Sequence, residues 1–212
     1  PTVSHHILPF LQGRPVSTVK IFSGKKDPIQ GLEAIFVRYA KYKPTPVHLT
    51  VDSGRRLMEL VYDHCVDFIP YVHRIDADEP DVFVLDLDAG SAIVVRKDLV
   101  NYLGFIALEL AHLLQDLGVK PMVKFSGSRG FQVWAFFDNH VLRDGDVFTK
   151  YREMAVEIQR MLETKLQSKI REVKTLFPAI VEGGKPLTTS TVAHKEDRSG
   201  QVLVDWSSMK PM

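Results

Sequence analysis

A run of apolar residues that ends in two acids, Val82-Phe83-Val84-Leu85-Asp86-Leu87-Asp88-Ala89-Gly90, constrains this chain more than any other segment. A strand turns successive side chains to opposite faces, so Asp86 and Asp88 project from one face, roughly 6.6 Å apart along the backbone. Carboxylates beside four large apolar residues are costly unless a cation neutralises them. Hard divalent ions such as Mg²⁺ or Mn²⁺ are the usual partners of paired carboxylate oxygens. The pattern is therefore half of a metal site. It is also the pattern of a strand end whose acids simply reach water, and Asp-x-Asp alone favours that plainer account.

A third acid ends another apolar strand, Gln201-Val202-Leu203-Val204-Asp205-Trp206, in which Leu203 and Asp205 share one face and Val202, Val204 and Trp206 the other. Three strand-borne aspartates can thus converge. Between them lies Lys124-Phe125-Ser126-Gly127-Ser128-Arg129-Gly130-Phe131-Gln132-Val133-Trp134, a small-residue turn joining two β-rich segments. Its backbone N–H groups, two hydroxyls and a guanidinium suit a polyphosphate. No Gly-Lys-Ser/Thr follows, so it is not a P-loop. Taken alone, such a turn is more often an ordinary hairpin.

In this order the segments resemble the archaeo-eukaryotic primase-polymerases, in particular the polymerase domain of bacterial end-joining DNA ligase D and its free-standing archaeal relatives. The resemblance starts at Leu8-Pro9-Phe10-Leu11-Gln12-Gly13-Arg14-Pro15-Val16 and continues through Ile35-Phe36-Val37-Arg38-Tyr39 and Ile69-Pro70-Tyr71-Val72-His73-Arg74-Ile75-Asp76. It takes in the Asp86-Leu87-Asp88 strand and the Ser126–Gly130 turn. It ends with Leu187-Thr188-Thr189 and the segment from Arg198 to Ser207. No piece is specific by itself; the ordered set is.

The resemblance implies an α/β (α+β) fold, a primase-polymerase core with a mixed, largely antiparallel RRM-like sheet flanked by helices. It implies one catalytic domain over 1–212, with an N-terminal module to about residue 75 and an RRM-like catalytic module over 76–212. Asp86, Asp88 and Asp205 fall on the metal-binding carboxylates, which implies two divalent cations, Mn²⁺ or Mg²⁺. Ser126, Arg129 and Gln132 fall on triphosphate contacts, and Arg198 on a basic residue near the incoming nucleotide. Arg38 stands where relatives carry lysine. The implied activity is a template-directed nucleotidyltransferase that extends primer 3′ ends and fills gaps in non-homologous end joining. Implied partners are a DNA primer-template or broken ends, nucleoside triphosphates with a ribonucleotide preference, a separate ligase and a Ku-type protein.

The chain departs from the pattern at three positions. Gln132 stands where the motif ends in histidine, Ile69 replaces the histidine of a His-Pro-Trp-like element, and Ser208 sits where a polar residue such as glutamine is common. A glutamine donates a hydrogen bond but carries no charge. Two alternatives therefore stay open: a primase that starts strands de novo, and a nucleic-acid-binding relative with an impaired site. The chain ends soon after Asp205 and starts part-way through a helix that relatives extend upstream, so the pocket for a recessed 5′-phosphate is in question.

Composition narrows the field further. With 212 residues and 45% hydrophobic content the chain can bury a sizeable core. There are 27 basic against 26 acidic residues, a formal net charge of +1, so nucleic acid must be met by local patches. Lys25 and Lys26 are the DNA-binding candidates, within a set that includes Lys20, Arg38, Lys41 and Lys43. The same lysines also suit a solvated edge. Cys65 is the single cysteine, which excludes an internal disulfide and suits a reducing compartment; it is expected in a helix. The eight histidines form no zinc spacing, no stretch approaches the roughly 20 apolar residues that span a bilayer, and no signal-peptide pattern opens the chain. The expectation is a soluble, cytoplasmic, nucleoid-associated protein with no membrane partner.

Periodicity predicts helices over about 3–12, from Asp52-Ser53-Gly54 to about 67, over 98–117 with a stop at Leu117-Gly118, and over 147–168. It predicts strands near 16–22, 33–39 and 47–51 besides those bearing the acids. The stretch from Phe177 to Gly200 reads as irregular.

Overall fold

The computed structural model describes residues 4–22, 35–39, 49–77, 80–94, 96–127, 130–136, 147–179, 186–190, 195–198 and 200–206. Packing divides the chain into two units, Pro1–Pro80 and Asp81–Met212.

In the first unit, helix α1 (Ser4–Leu11) leads through Gly13 into strand β1 (Val16–Phe22). Gly13 adopts φ 67°, a left-handed conformation that glycine reaches without a side-chain penalty, and its N–H donates to Asp52 Oδ1 at 3.0 Å. Strands β2 (Ile35–Tyr39) and β3 (Cys65–Pro70) pair antiparallel on either side of β1. Helix α2 (Gly54–Tyr62) is capped by Ser53, whose Oγ accepts from Arg56 N at 3.1 Å. Leu11, Val16, Val51, Leu57, Leu60 and Cys65 form the core of this unit.

Three expectations fail here. Helix α2 stops at Tyr62 and does not run to 67, because His64 takes φ 62° and turns the chain out of the helix. Cys65 then opens β3, buried in a strand and not in a helix, opposite Lys20 of β1. Pairing with a distant strand has overridden the local helical spacing. No strand forms over 49–51 either: Leu49 O accepts a single bond from Val16 N at 2.9 Å, and Val51 packs into the core as irregular backbone.

The second unit is built on a five-stranded sheet. Strand β4 (Val82–Ala89) lies in the middle, between β6 (Gly130–Phe136) and β8 (Val202–Asp205); β5 (Pro121–Gly127) flanks β6, and β7 (Thr188–Thr189) flanks β8. All pairs are antiparallel except β7 with β8, so the sheet is mixed and largely antiparallel as expected. Helix α4 (Leu99–Asp116) buries Leu99, Leu103, Ile106, Leu110 and Leu113, and ends at Gly118 with φ 81°. Helix α5 (Val147–Ser168) buries Tyr151, Ala155, Ile158, Leu162 and Leu166, an i, i+4, i+7 stripe.

Both long helices lie on the same face of the sheet. Tyr151 of α5 stacks on Phe83 of β4 at 5.5 Å, and Gly104 of α4 lies against the ring of Phe131, which pairs with Leu87. Phe83, Leu85 and Leu87 share that face, so Asp86 and Asp88 necessarily point to the other. Short helices α3 (Ser91–Val94), α6 (Ile170–Leu176) and α7 (Lys195–Arg198) complete the unit, with Lys169 Nζ bonded to the buried Glu109 of α4 at 2.6 Å. Among the described residues no helix is long and apolar enough to cross a membrane.

The stretch read as irregular contains β7 and α7, and β7 is held by α5. Glu163 accepts from Leu187 N at 3.0 Å and from Thr188 N and Oγ1, both at 2.8 Å; Gln159, one turn earlier, donates to Thr188 O at 3.2 Å and Oγ1 at 3.1 Å. A two-residue strand has too few ladder bonds to stand alone, so this carboxylate keeps β7 against β8. Glu163→Ala strands two backbone donors beside buried residues and is expected to lower stability by about 2–3 kcal/mol in urea unfolding, with Glu163→Gln in between.

Candidate active site

The strand register assembles the site. Asp86 lies directly opposite Asp205 on one side and Gln132 on the other, and Gln132 in turn lies opposite Lys124. Residues opposite one another share a face with Cβ atoms about 4.5–5.5 Å apart. Lys124, Gln132, Asp86 and Asp205 therefore form one row across four strands, with Asp88 two residues further along the same face of β4. The three aspartates singled out in the sequence are on one surface.

Their electrostatics are those of crowded acids. Burial, then the neighbouring charge of Asp88, then that of Asp205 push the Asp86 carboxyl up to about 6; the nearby Gln132 amide and Leu87 backbone N–H offset part of the rise. Asp88 faces a cation: Arg198 Nη2 of α7 is 3.8 Å from its Oδ2, and Arg198 is only 2% exposed. The residue assigned to the incoming nucleotide is, in this structure, a buried counter-ion for one of the acids.

Gln132 is engaged at its carbonyl end. Trp134, two residues along the same face, donates its indole Nε1–H to Gln132 Oε1 at 3.2 Å, and Lys124 Nζ sits 5.4 Å from the centre of the Trp134 ring. Trp134 and Lys124 are parts of the site that sequence pattern missed. Alternation places them on the correct face, but only the register shows that they surround Gln132.

The chemistry of three carboxylates on one face suits hard divalent cations. As they stand, however, no three His, Cys, Asp or Glu side chains among the described residues are arranged to hold a metal ion. Ser126 lies exposed at the end of β5, beside the hairpin turn. Arg129, Lys25 and Lys26 lie outside the described residues, as do the side chains beyond the backbone of β2, where Arg38 pairs with Val19.

One consequence is measurable without activity. The folded-state pKa of Asp86 lies above its ordinary value of 3.8, so its contribution to stability is fully present below about pH 4 and is lost as pH rises through about 6. In metal-free protein Asp86→Asn is expected to raise unfolding stability at pH 8 by about 1 kcal/mol, a figure reduced for solvent screening, and to lose that advantage near pH 4. Urea unfolding in EDTA at the two pH values checks it.

Comparison with known proteins agrees with this architecture. A family described as the LigD primase-polymerase domain matches residues 1–211. The fold is similar to a solved structure of the polymerase domain from Mycobacterium tuberculosis ligase D in complex with DNA, with a TM-score of 0.63 and 20% identity, covering 99% of this chain and 69% of that one. No curated protein matches the chain. With nearly every residue inside the family match and the fold shared, this chain belongs to the LigD primase-polymerase domain family.

Proposed function

We propose that this chain is a template-directed nucleotidyltransferase that extends primer 3′ ends and fills gaps at broken DNA during end joining. The family is one of nucleotidyltransferases in end-joining repair. The observation that carries the finer proposal is the row on the sheet: Asp86 opposite Asp205, with Asp88 on the same face. Crowding three acids is unfavourable for stability and useful for holding cations.

Asp86, Asp88 and Asp205 would hold two divalent ions, Mn²⁺ or Mg²⁺, which supply the means to ionise a primer 3′-hydroxyl and to neutralise a departing pyrophosphate. The remaining work belongs to side chains of this chain. Ser126 and Arg129 would hold the triphosphate in line with the hydroxyl, a matter of positioning and electrostatics; Gln132, which the resemblance also places on the triphosphate, lies opposite Asp86. Arg198, on leaving Asp88, would meet the nucleotide, and Arg38 would add a second cation. Lys25 and Lys26 would contact DNA phosphates. Ribonucleotide preference, a separate ligase and a Ku-type partner complete the proposal, with 1–212 as one catalytic domain.

A second proposal, a binding relative with impaired catalysis, is favoured by two observations: no three described acids are arranged to hold an ion, and Arg198 pairs with Asp88. Primer extension on a gapped duplex with a recessed 5′-phosphate, in Mn²⁺ and in Mg²⁺, separates the two. The catalytic proposal expects extension that falls at least about a hundredfold in Asp86→Ala and in Asp205→Ala, the loss of about 3 kcal/mol of transition-state stabilisation. Extension that survives both changes removes the mechanism; no extension by the wild type supports the binding relative. Synthesis on single-stranded template without a primer would identify a primase.

The turn has its own test. A guanidinium on a triphosphate makes charge-assisted bonds, roughly twice as strong as neutral ones. Arg129→Ala is expected to raise the nucleotide KM at least about tenfold, or about 1.4 kcal/mol, in steady-state kinetics.

A further inference from the structure

We propose that Gln132 is a positioning residue for Asp86, with the Trp134 indole locking the amide so that its N–H groups face the carboxylate. The proposal rests on Asp86 being a metal ligand. Its geometry comes from two facts of the sheet: Gln132 and Asp86 are opposite in register, and Gln132 and Trp134 share a face of β6.

A glutamine amide presents a donor at one end and an acceptor at the other, and left to itself it can turn either way toward a neighbour. An indole N–H can only donate. The bond from Trp134 Nε1 at 3.2 Å therefore requires the carbonyl oxygen of Gln132 at that end, which leaves the NH₂ group as the end available to Asp86, opposite in register. The reverse orientation sets acceptor against carboxylate and donor against donor. Lys124, opposite Gln132 on the outer strand, has its ammonium over the Trp134 ring and steadies the indole from its face.

The chemical character of the residue matters as much as its direction. A lysine, arginine or protonated histidine facing Asp86 would neutralise the charge a cation needs. A neutral amide restrains the carboxylate and leaves its charge in place. Trp134 is 8% exposed, so the indole is itself fixed by packing. Groups that orient a ligating carboxylate in this way typically account for 10- to 100-fold in metal affinity.

The test is Mn²⁺ binding in the absence of nucleotide, by isothermal titration calorimetry, on wild type, Asp86→Asn, Gln132→Ala and Trp134→Phe, each first checked for cooperative urea unfolding. Gln132→Ala is expected to weaken Mn²⁺ binding at least about tenfold. Trp134→Phe keeps an aromatic ring and removes only the N–H; it is expected to weaken binding about three- to tenfold, the worth of one neutral hydrogen bond. In primer extension, Gln132→Ala should raise the Mn²⁺ concentration needed for half-maximal rate while the nucleotide KM at saturating Mn²⁺ stays within about threefold of wild type. Wild-type binding that is lost in Asp86→Asn but unchanged in Gln132→Ala and Trp134→Phe overturns this proposal alone. A raised nucleotide KM with unchanged Mn²⁺ affinity also overturns it, and assigns Gln132 to the triphosphate. A wild type that binds no more Mn²⁺ than Asp86→Asn overturns the metal site itself and this proposal with it.

Discussion

The second unit depends on the position of β4. From Val82 to Leu85 this strand is buried on both faces, and it is paired on both edges, by β6 and by β8. It has no freedom to slide. A shift of one residue would turn Asp86 and Asp88 toward α4 and α5 and bring Leu87 out to the other face, exchanging well-packed apolar area for buried charge. The register that satisfies the core is thus the register that gathers Asp86, Asp205 and Gln132 into one row. Stability and the candidate chemistry are set by one choice.

Electrostatic tension follows from that row. Asp86 is crowded by two acids and half-buried, and its carboxyl holds its proton to about pH 6. The molecule answers this differently at each acid. At Asp88 a buried guanidinium from α7 supplies charge; at Asp86 the residue opposite on β6 is Gln132, a neutral amide. A neutral amide there leaves the charge of Asp86 in place, in keeping with the proposed role of Asp86 as a cation ligand.

Bringing Asp205 to the row takes a long excursion of chain through α4, the β5–β6 hairpin and α5 before β8 returns to pair with β4. The last part of that return is secured by Glu163 and Gln159, which satisfy the backbone and hydroxyl of Thr188 and so hold β7 beside β8. A helix far from the acids in sequence thereby supports the strand that carries one of them.

Much of this was legible from the chain alone where the signal was local. The apolar stripe of α4, the glycine that ends it, the span of α5, the β5–β6 hairpin and the strand ending in Asp86 and Asp88 all follow from periodicity and turn chemistry, because neighbours a few residues apart decide them. The ordered motifs also carried the family. What sequence could not reach was decided between distant segments. Cys65 entered a strand because β1 offered a ladder, β7 formed because α5 supplied a carboxylate, and Arg198 became the partner of Asp88 because α7 lies beside it. Gln132 could be seen in the sequence only as a departure from a motif. Its place between Trp134 and Asp86 depends on strand register, which is set by packing over the whole sheet and not by any local run of residues.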